Sequence, residues 1–127
     1  QAGQMSGNDF IVYRYADVLL SRAEALNELN GPTQEAIDLI NQVRTRSHAT
    51  PISLENFTKD SLREFLCDER GRELYCEGHR RTDLIRFGKF IEKAKEAGYT
   101  VQDYMKLFPI PQSAINENPN LTQNPGY

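Results

Sequence analysis

Gly31-Pro32 separates two stretches whose apolar residues recur at helical spacing, and so short a break leaves the flanking helices one arrangement, an antiparallel hairpin. In the first stretch Tyr15, Val18, Leu19, Leu26 and Leu29 share one face, expected to be buried, while Asp17, Ser21, Glu24 and Glu28 fall opposite. Arg22 falls within that apolar stripe. Gly31 and Pro32 then stop the helix. Thr33 is placed to cap the next one, in which Ala36, Leu39, Ile40 and Val43 form the buried stripe up to about Ser47. Ala23 and Ala25 on the first helix, the Gly31 turn, and Ala36 and Val43 on the second give the pair the pattern of a tetratricopeptide unit, which any amphipathic hairpin can share.

Further along, Thr58 caps a third helix expected to reach Glu77, with Gly78 as its stop. A fourth begins near Thr82, carries Leu84, Phe87, Gly88 and Ile91 along one side, and ends before Gly98. The expected helices are 14–30, 33–47, 59–77 and 82–96. From Tyr99 onward Pro109, Pro111, Pro119 and Pro125 exclude a long regular element. Leu107, Phe108, Ile110, Ile115, Leu121 and Tyr127 nevertheless recur there, as expected of a tail docked on the helices with Phe108 and Ile110 more buried than Asn116 or Asn118. The fold class is all-α, with tetratricopeptide-like helical hairpins and an irregular C-terminal tail. Residues 1–13 form an N-terminal loop, extended from Phe10 to Tyr13; 14–98 form the helical core and 99–127 the docked tail.

Several function classes are excluded early. Fifteen Lys and Arg against eighteen Asp and Glu give a net charge of −3, with the basic residues dispersed, which argues against nucleic acid as a partner. No apolar run approaches the roughly 18 residues of a membrane span, and no signal-peptide pattern opens the chain. Cys67 and Cys76, nine residues apart in what reads as one helix, would lie roughly 13 Å apart along its axis and could not pair. Asn56-Phe57-Thr58 and Asn120-Leu121-Thr122 fit a glycosylation sequon that often arises by chance.

Chemistry concentrates between Glu69 and Arg86. Glu69 and Glu73 continue the apolar stripe of Leu62, Phe65 and Leu66, so two carboxylates point where the core should be, an arrangement that is costly unless cations meet them. Arg70, Arg80 and Arg86 are candidate partners, as are Arg14, Arg22, Arg44 and Arg46 on the first hairpin. The reading is a structural ion-pair network comprising Arg14, Asp17, Arg22, Glu69, Arg70, Glu73, Glu77, Arg80, Asp83 and Arg86. Paired carboxylates also serve glycosidases, but two Glu one turn apart share a face instead of flanking a substrate. Glu77 and His79 are two apart, the wrong spacing for a di-metal bundle site. Neither a Gly-x-Ser-x-Gly nucleophile elbow nor a phosphate-binding glycine loop is present. No catalytic residue, metal or cofactor is expected, and the absence of Trp removes the best platform for stacking a sugar.

Arg14-Tyr15-Ala16-Asp17-Val18-Leu19-Leu20 with Ala23-Glu24-Ala25, then Ile40-Asn41-Gln42-Val43-Arg44-Thr45-Arg46, resembles the opening of the C-terminal region of the SusD/RagB family. Glu69-Arg70, Glu73-Leu74, Glu77-Gly78-His79-Arg80, Asp83-Leu84-Ile85-Arg86, Phe108-Pro109-Ile110-Pro111 and Asn118-Pro119 through Gln123-Asn124-Pro125-Gly126-Tyr127 follow in the family's order. The resemblance implies a fragment of a several-hundred-residue helical lipoprotein, with Tyr127 near the natural C-terminus and the signal peptide and lipidated cysteine missing. It implies a place on the cell-surface side of a bacterial outer membrane, held by an N-terminal lipid anchor absent here. It further implies a glycan or other oligomeric nutrient as ligand and a SusC-like TonB-dependent transporter as partner. No ligand-contacting residue carries over. This portion reads as scaffold that binds no carbohydrate tightly alone, and apolar surface left along the first hairpin is expected to favour self-association. The competing readings are a generic helical-repeat module for protein–protein interaction and a small hydrolase using the Glu cluster.

Overall fold

The computed structural model describes residues 11–127, so the expectations for Gln1–Phe10 lie outside the described residues. The described chain is helical, with no strand among the described residues. It divides into two compact units, one ending at Arg80 and one running Arg81–Tyr127, a division inside the stretch that the sequence reading treats as one helical core.

The first unit is built on α1 (Tyr15–Asn30), α2 (Gln34–Arg46) and α3 (Lys59–Glu73). Gly31, at φ 78°, ends α1 in a conformation that favours glycine, and its N–H donates to Asn27 O. The Thr33 hydroxyl accepts from Ala36 N to start α2, and Thr58 with Ser61 forms a reciprocal capping box that starts α3. Helix α1 packs against both α2 and α3. Leu20, Ala23, Ala36, Ile37, Ile40, Leu62 and Leu66 are buried in this unit.

The register of α1 corrects the sequence reading. Its buried residues are Ala16, Asp17, Leu19, Leu20, Ala23, Glu24 and Asn27, whereas Tyr15, Val18 and Leu29 are exposed. Helix α1 is apolar on two sides, and the inner side carries the smaller residues that let helices approach closely. A second correction concerns α3, which stops at Glu73, four residues before the expected end. Cys76 therefore lies outside the helix, exposed and at φ 61°, while Cys67 is buried within it, and both are free thiols.

In the second unit the expected single helix over 82–96 is two, α4 (Arg80–Arg86) and α5 (Phe90–Glu96), because Gly88 takes φ 74° and breaks the run. A short 3-10 turn at Asp103–Lys106 and a further helix, α6 (Gln112–Glu117), occupy what was read as irregular tail. Pro111 stands at the cap of α6, where a missing N–H costs nothing, so the prolines frame this helix instead of excluding it. Gln123 accepts from Ile110 N at 2.8 Å and donates to Ile110 O at 2.9 Å, Asn124 donates to Phe108 O, and the Tyr127 hydroxyl donates to Leu107 O. Ile110 is partly buried and Asn116 and Asn118 are exposed, but Phe108 is exposed as well, contrary to expectation. Its ring lies under the Arg81 guanidinium at 3.9 Å, which covers one face and leaves the rest open.

Candidate functional site

Three elements of the first unit bring charge together at one end of the α1–α2 hairpin. Arg14 immediately precedes α1, Arg44 and Arg46 close α2, and Glu69, Arg70, Arg72 and Glu73 form the last turns of α3. Helical spacing puts Glu69 and Glu73 on one face of α3, and their side chains are only 7% and 9% exposed. Carboxylates so nearly buried need cationic donors. Arg44 and Arg72 meet Glu69 at 2.8 and 2.7 Å, and both guanidinium groups also flank the Phe65 ring. Arg14 and Arg46 both donate to Glu73 Oε1.

Arg14 is the hub. Its Nε donates to both carboxylate oxygens of Glu77, at 3.0 and 2.8 Å, and its Nη2 donates to the backbone carbonyl of Glu73. The Arg14 hydrogen bonds hold the Glu77 carboxyl below the usual carboxylate range, and the same pairing holds the Arg14 guanidinium more firmly in its charged form. Beside this hub Arg70 pairs with Asp17 at 2.7 Å, both of these side chains being largely buried, and donates to Ser21 Oγ at 2.9 Å.

Of the residues singled out from sequence, Arg14, Asp17, Glu69, Arg70, Glu73 and Glu77 thus gather around the meeting of α1, α2 and α3, with the candidate partners Arg44 and Arg46. Arg22, Arg80, Asp83 and Arg86 do not join them. Arg22 is exposed and pairs with Glu35 of α2, outside the α1 stripe that is buried. Arg80 crosses the backbone at Gly71 to donate to Cys67 O at 2.7 Å and lies 3.6 Å from Asp68. Asp83 and Arg86 form a local pair at 2.9 Å in the second unit. Of the contributors, Arg72 was missed although its i,i+3 spacing from Glu69 is a readable signal; Ser21 carried none.

This arrangement ties segments together. Among the described residues no group of three or more His, Cys, Asp or Glu is placed to hold a metal ion. A cavity of about 360 Å³ opens between Arg14, Tyr15 and Leu19 on one side and Gln42, Val43 and Arg46 on the other. The second unit holds one of about 430 Å³ walled mainly by Leu84, Phe90, Ala94, Ala97, Tyr99 and Val101.

Comparison with known proteins gives this geometry its context. The SusD family matches over residues 1–106 and again over 95–127. SusD-like protein P38 of Formosa agariphila is 39% identical over 126 residues, covering 94% of this chain and 25% of its own length. The starch-binding protein SusD of Bacteroides thetaiotaomicron is 37% identical over 127 residues, covering 94% of this chain and 22% of its own. The crystal structure of a SusD homolog from Bacteroides thetaiotaomicron superposes with a TM-score of 0.77 at 35% identity, covering 98% of this chain and 30% of that one. The chain thus spans about a quarter of the length of the relatives it matches.

Proposed function

Because the chain belongs to the SusD family, we propose that it is the helical C-terminal scaffold of a glycan-binding lipoprotein on the surface of a bacterial outer membrane. In this reading the intact protein captures an oligomeric glycan and delivers it to a SusC-like TonB-dependent transporter. The chain catalyses nothing. No helix among the described residues is long and apolar enough to cross a membrane.

The observation that carries the reading is the match along nearly the whole chain to a starch-binding relative at 37% identity. The charge cluster supports the scaffold role, because the carboxylates of Glu69, Glu73 and Glu77 all bond to guanidinium groups of the same unit. Sugar recognition asks for a concave surface with convergent polar groups and exposed ring faces; the cavity of the second unit is walled mainly by apolar side chains, and a wider hollow of about 590 Å³ beside Asp38, Asn41, Gln42, Thr45 and Arg46 has polar groups but no aromatic ring.

Isothermal calorimetry of this chain and of the full-length protein against one panel of glycans tests it. Binding to the full-length protein alone is the expected result. Micromolar binding to this chain overturns the scaffold assignment, and a full-length protein that binds no glycan on the panel while binding another class of oligomer overturns the substrate class.

A further inference from the structure

Asn30-Gly31 is the one place in the sequence where an asparagine precedes a glycine. An asparagine side chain is open to attack at Cγ by the main-chain nitrogen of the next residue, and a glycine there has no Cβ to hinder the approach. Elsewhere these conditions fail. Asn118 and Asn124 precede prolines, which carry no N–H. Asn27 is wholly buried, and the Asn41 side chain bonds both backbone groups of Ile52 at 2.8 Å. Asn30 is exposed, and a Cβ at Gly31 would meet nothing within 4 Å, so the ring that this attack closes has room to form.

The fold sets a brake on the reaction. Asn30 is the last residue of α1, and the attacking nitrogen is engaged, because the Gly31 N–H donates to Asn27 O at 2.9 Å. Lys59, at the start of α3, holds the same turn: its Nζ donates to Glu28 O, and its carbonyl accepts from Asn27 Nδ2 at 2.9 Å. Closure therefore requires the last turn of α1 to open, which helix ends do at small free-energy cost.

We propose that Asn30 is a site of spontaneous deamidation, gated by fraying of the last turn of α1. When the turn opens, Gly31 N attacks Asn30 Cγ, the Cγ–Nδ2 bond breaks, and ammonia leaves carrying the proton that Gly31 N gives up. Water then opens the cyclic imide at either carbonyl, giving aspartate or isoaspartate. Ammonia is released, water is taken up, and nothing is oxidised or reduced. Either product gains a negative charge at a helix end that has no basic residue in its own last turn, where the macrodipole opposes it. Isoaspartate also lengthens the main chain, which takes the Gly31 N–H out of register with Asn27 O. The modification loosens the turn between α1 and α2 and accumulates with the time that turn spends open.

Peptide mass spectrometry of the full-length protein tests it, after timed incubation in mildly alkaline buffer with and without urea. Amide-to-acid conversion at Asn30 is expected about tenfold slower in the native protein than in urea, with Asn118 and Asn124 unconverted. No native conversion after about 100 of the half-times measured in urea overturns the site, and a native rate within about twofold of the urea rate overturns the gate. Lys59→Met removes the ammonium from Glu28 O while keeping a long side chain; the native rate is expected to rise about threefold and the urea rate to stay unchanged. Equal native rates in the two proteins overturn the part played by this turn. Asn30→Gln is expected to abolish the mass gain of the peptide that also holds Asn27, and a gain that persists overturns the assignment to Asn30.

Discussion

Arg14 stands immediately before α1, and its guanidinium donates to the backbone carbonyl of Glu73, the last residue of α3. A helix ends with carbonyls that lack partners inside the helix, and here the partner arrives from the start of another helix. This contact satisfies one of those carbonyls where α3 stops, and Cys76 at φ 61° breaks the run that the sequence reading extends to Glu77.

Replacing Arg14 with Ala removes donors to Glu73 and Glu77 together. The partners are partly buried, so the loss is expected at about 1.5–3 kcal/mol, the range for hydrogen bonds involving charged groups. Arg22→Ala breaks an exposed pair with Glu35 and is expected to cost less than about 1 kcal/mol. Urea melts of the two variants side by side check the contrast, and equal losses would remove the distinction between hub and surface pair.

Acid should weaken the same hub. Hydrogen bonding from Arg14 lowers the Glu77 pKa from its ordinary value of 4.5 in the folded chain. A carboxyl lowered by folding contributes stability above its unfolded pKa, and that contribution is lost as pH falls through the folded value. The expected signature is a decline in stability below pH 4.5 that is shallower in Glu77→Gln, measured by thermal melts in a buffer series.

Gly71 and Arg80 should be energetically coupled. A Cβ at position 71 would lie 2.5 Å from Arg80 Nη1, which also donates to Cys67 O. Helix propensity favours Gly71→Ala by about 1 kcal/mol, and displacing the Arg80 hydrogen bond costs about 1.5 kcal/mol. Gly71→Ala alone is therefore expected to be neutral or slightly destabilising. In an Arg80→Ala background it should stabilise by about 1 kcal/mol, and a double-mutant cycle without coupling would contradict the contact.

Gln123 holds both backbone groups of Ile110 through its side-chain amide. In Gln123→Ala the Ile110 N–H is expected to exchange about tenfold faster, with amides in α3 unchanged. Hydrogen exchange followed by NMR resolves the two positions.

The starts of α2 and α3 were legible because Thr33 and Thr58 are local signals whose hydroxyls cap the helices that follow them. The inner face of α1 was not. A helix apolar on two sides gives no unique answer to a periodicity argument, and the larger Tyr15, Val18 and Leu29 outweighed Ala16, Leu20 and Ala23. Gly88 was read as part of a stripe, whereas its positive φ makes it a stop. In the cluster, the place of Glu69 and Glu73 on the apolar stripe of α3 was readable from spacing alone. Their partners were not, since arginine side chains reach far enough that Arg44, Arg46 and Arg80 all qualified before the chain was folded.

The hub also bears on the order of folding. Arg14 and Glu73 are 59 residues apart in sequence, and Arg46 and Glu73 are 27 apart, whereas the Thr58 capping box and the Gly31 turn close within a few residues. Closing those long separations costs chain entropy that the local caps and turn do not, so these ion pairs are expected to form late, on the native side of the barrier. An interaction absent from the transition state changes the unfolding rate and leaves the folding rate nearly untouched. Arg14→Ala is therefore expected to speed unfolding of the first unit in stopped-flow urea jumps and to leave its folding rate nearly unchanged.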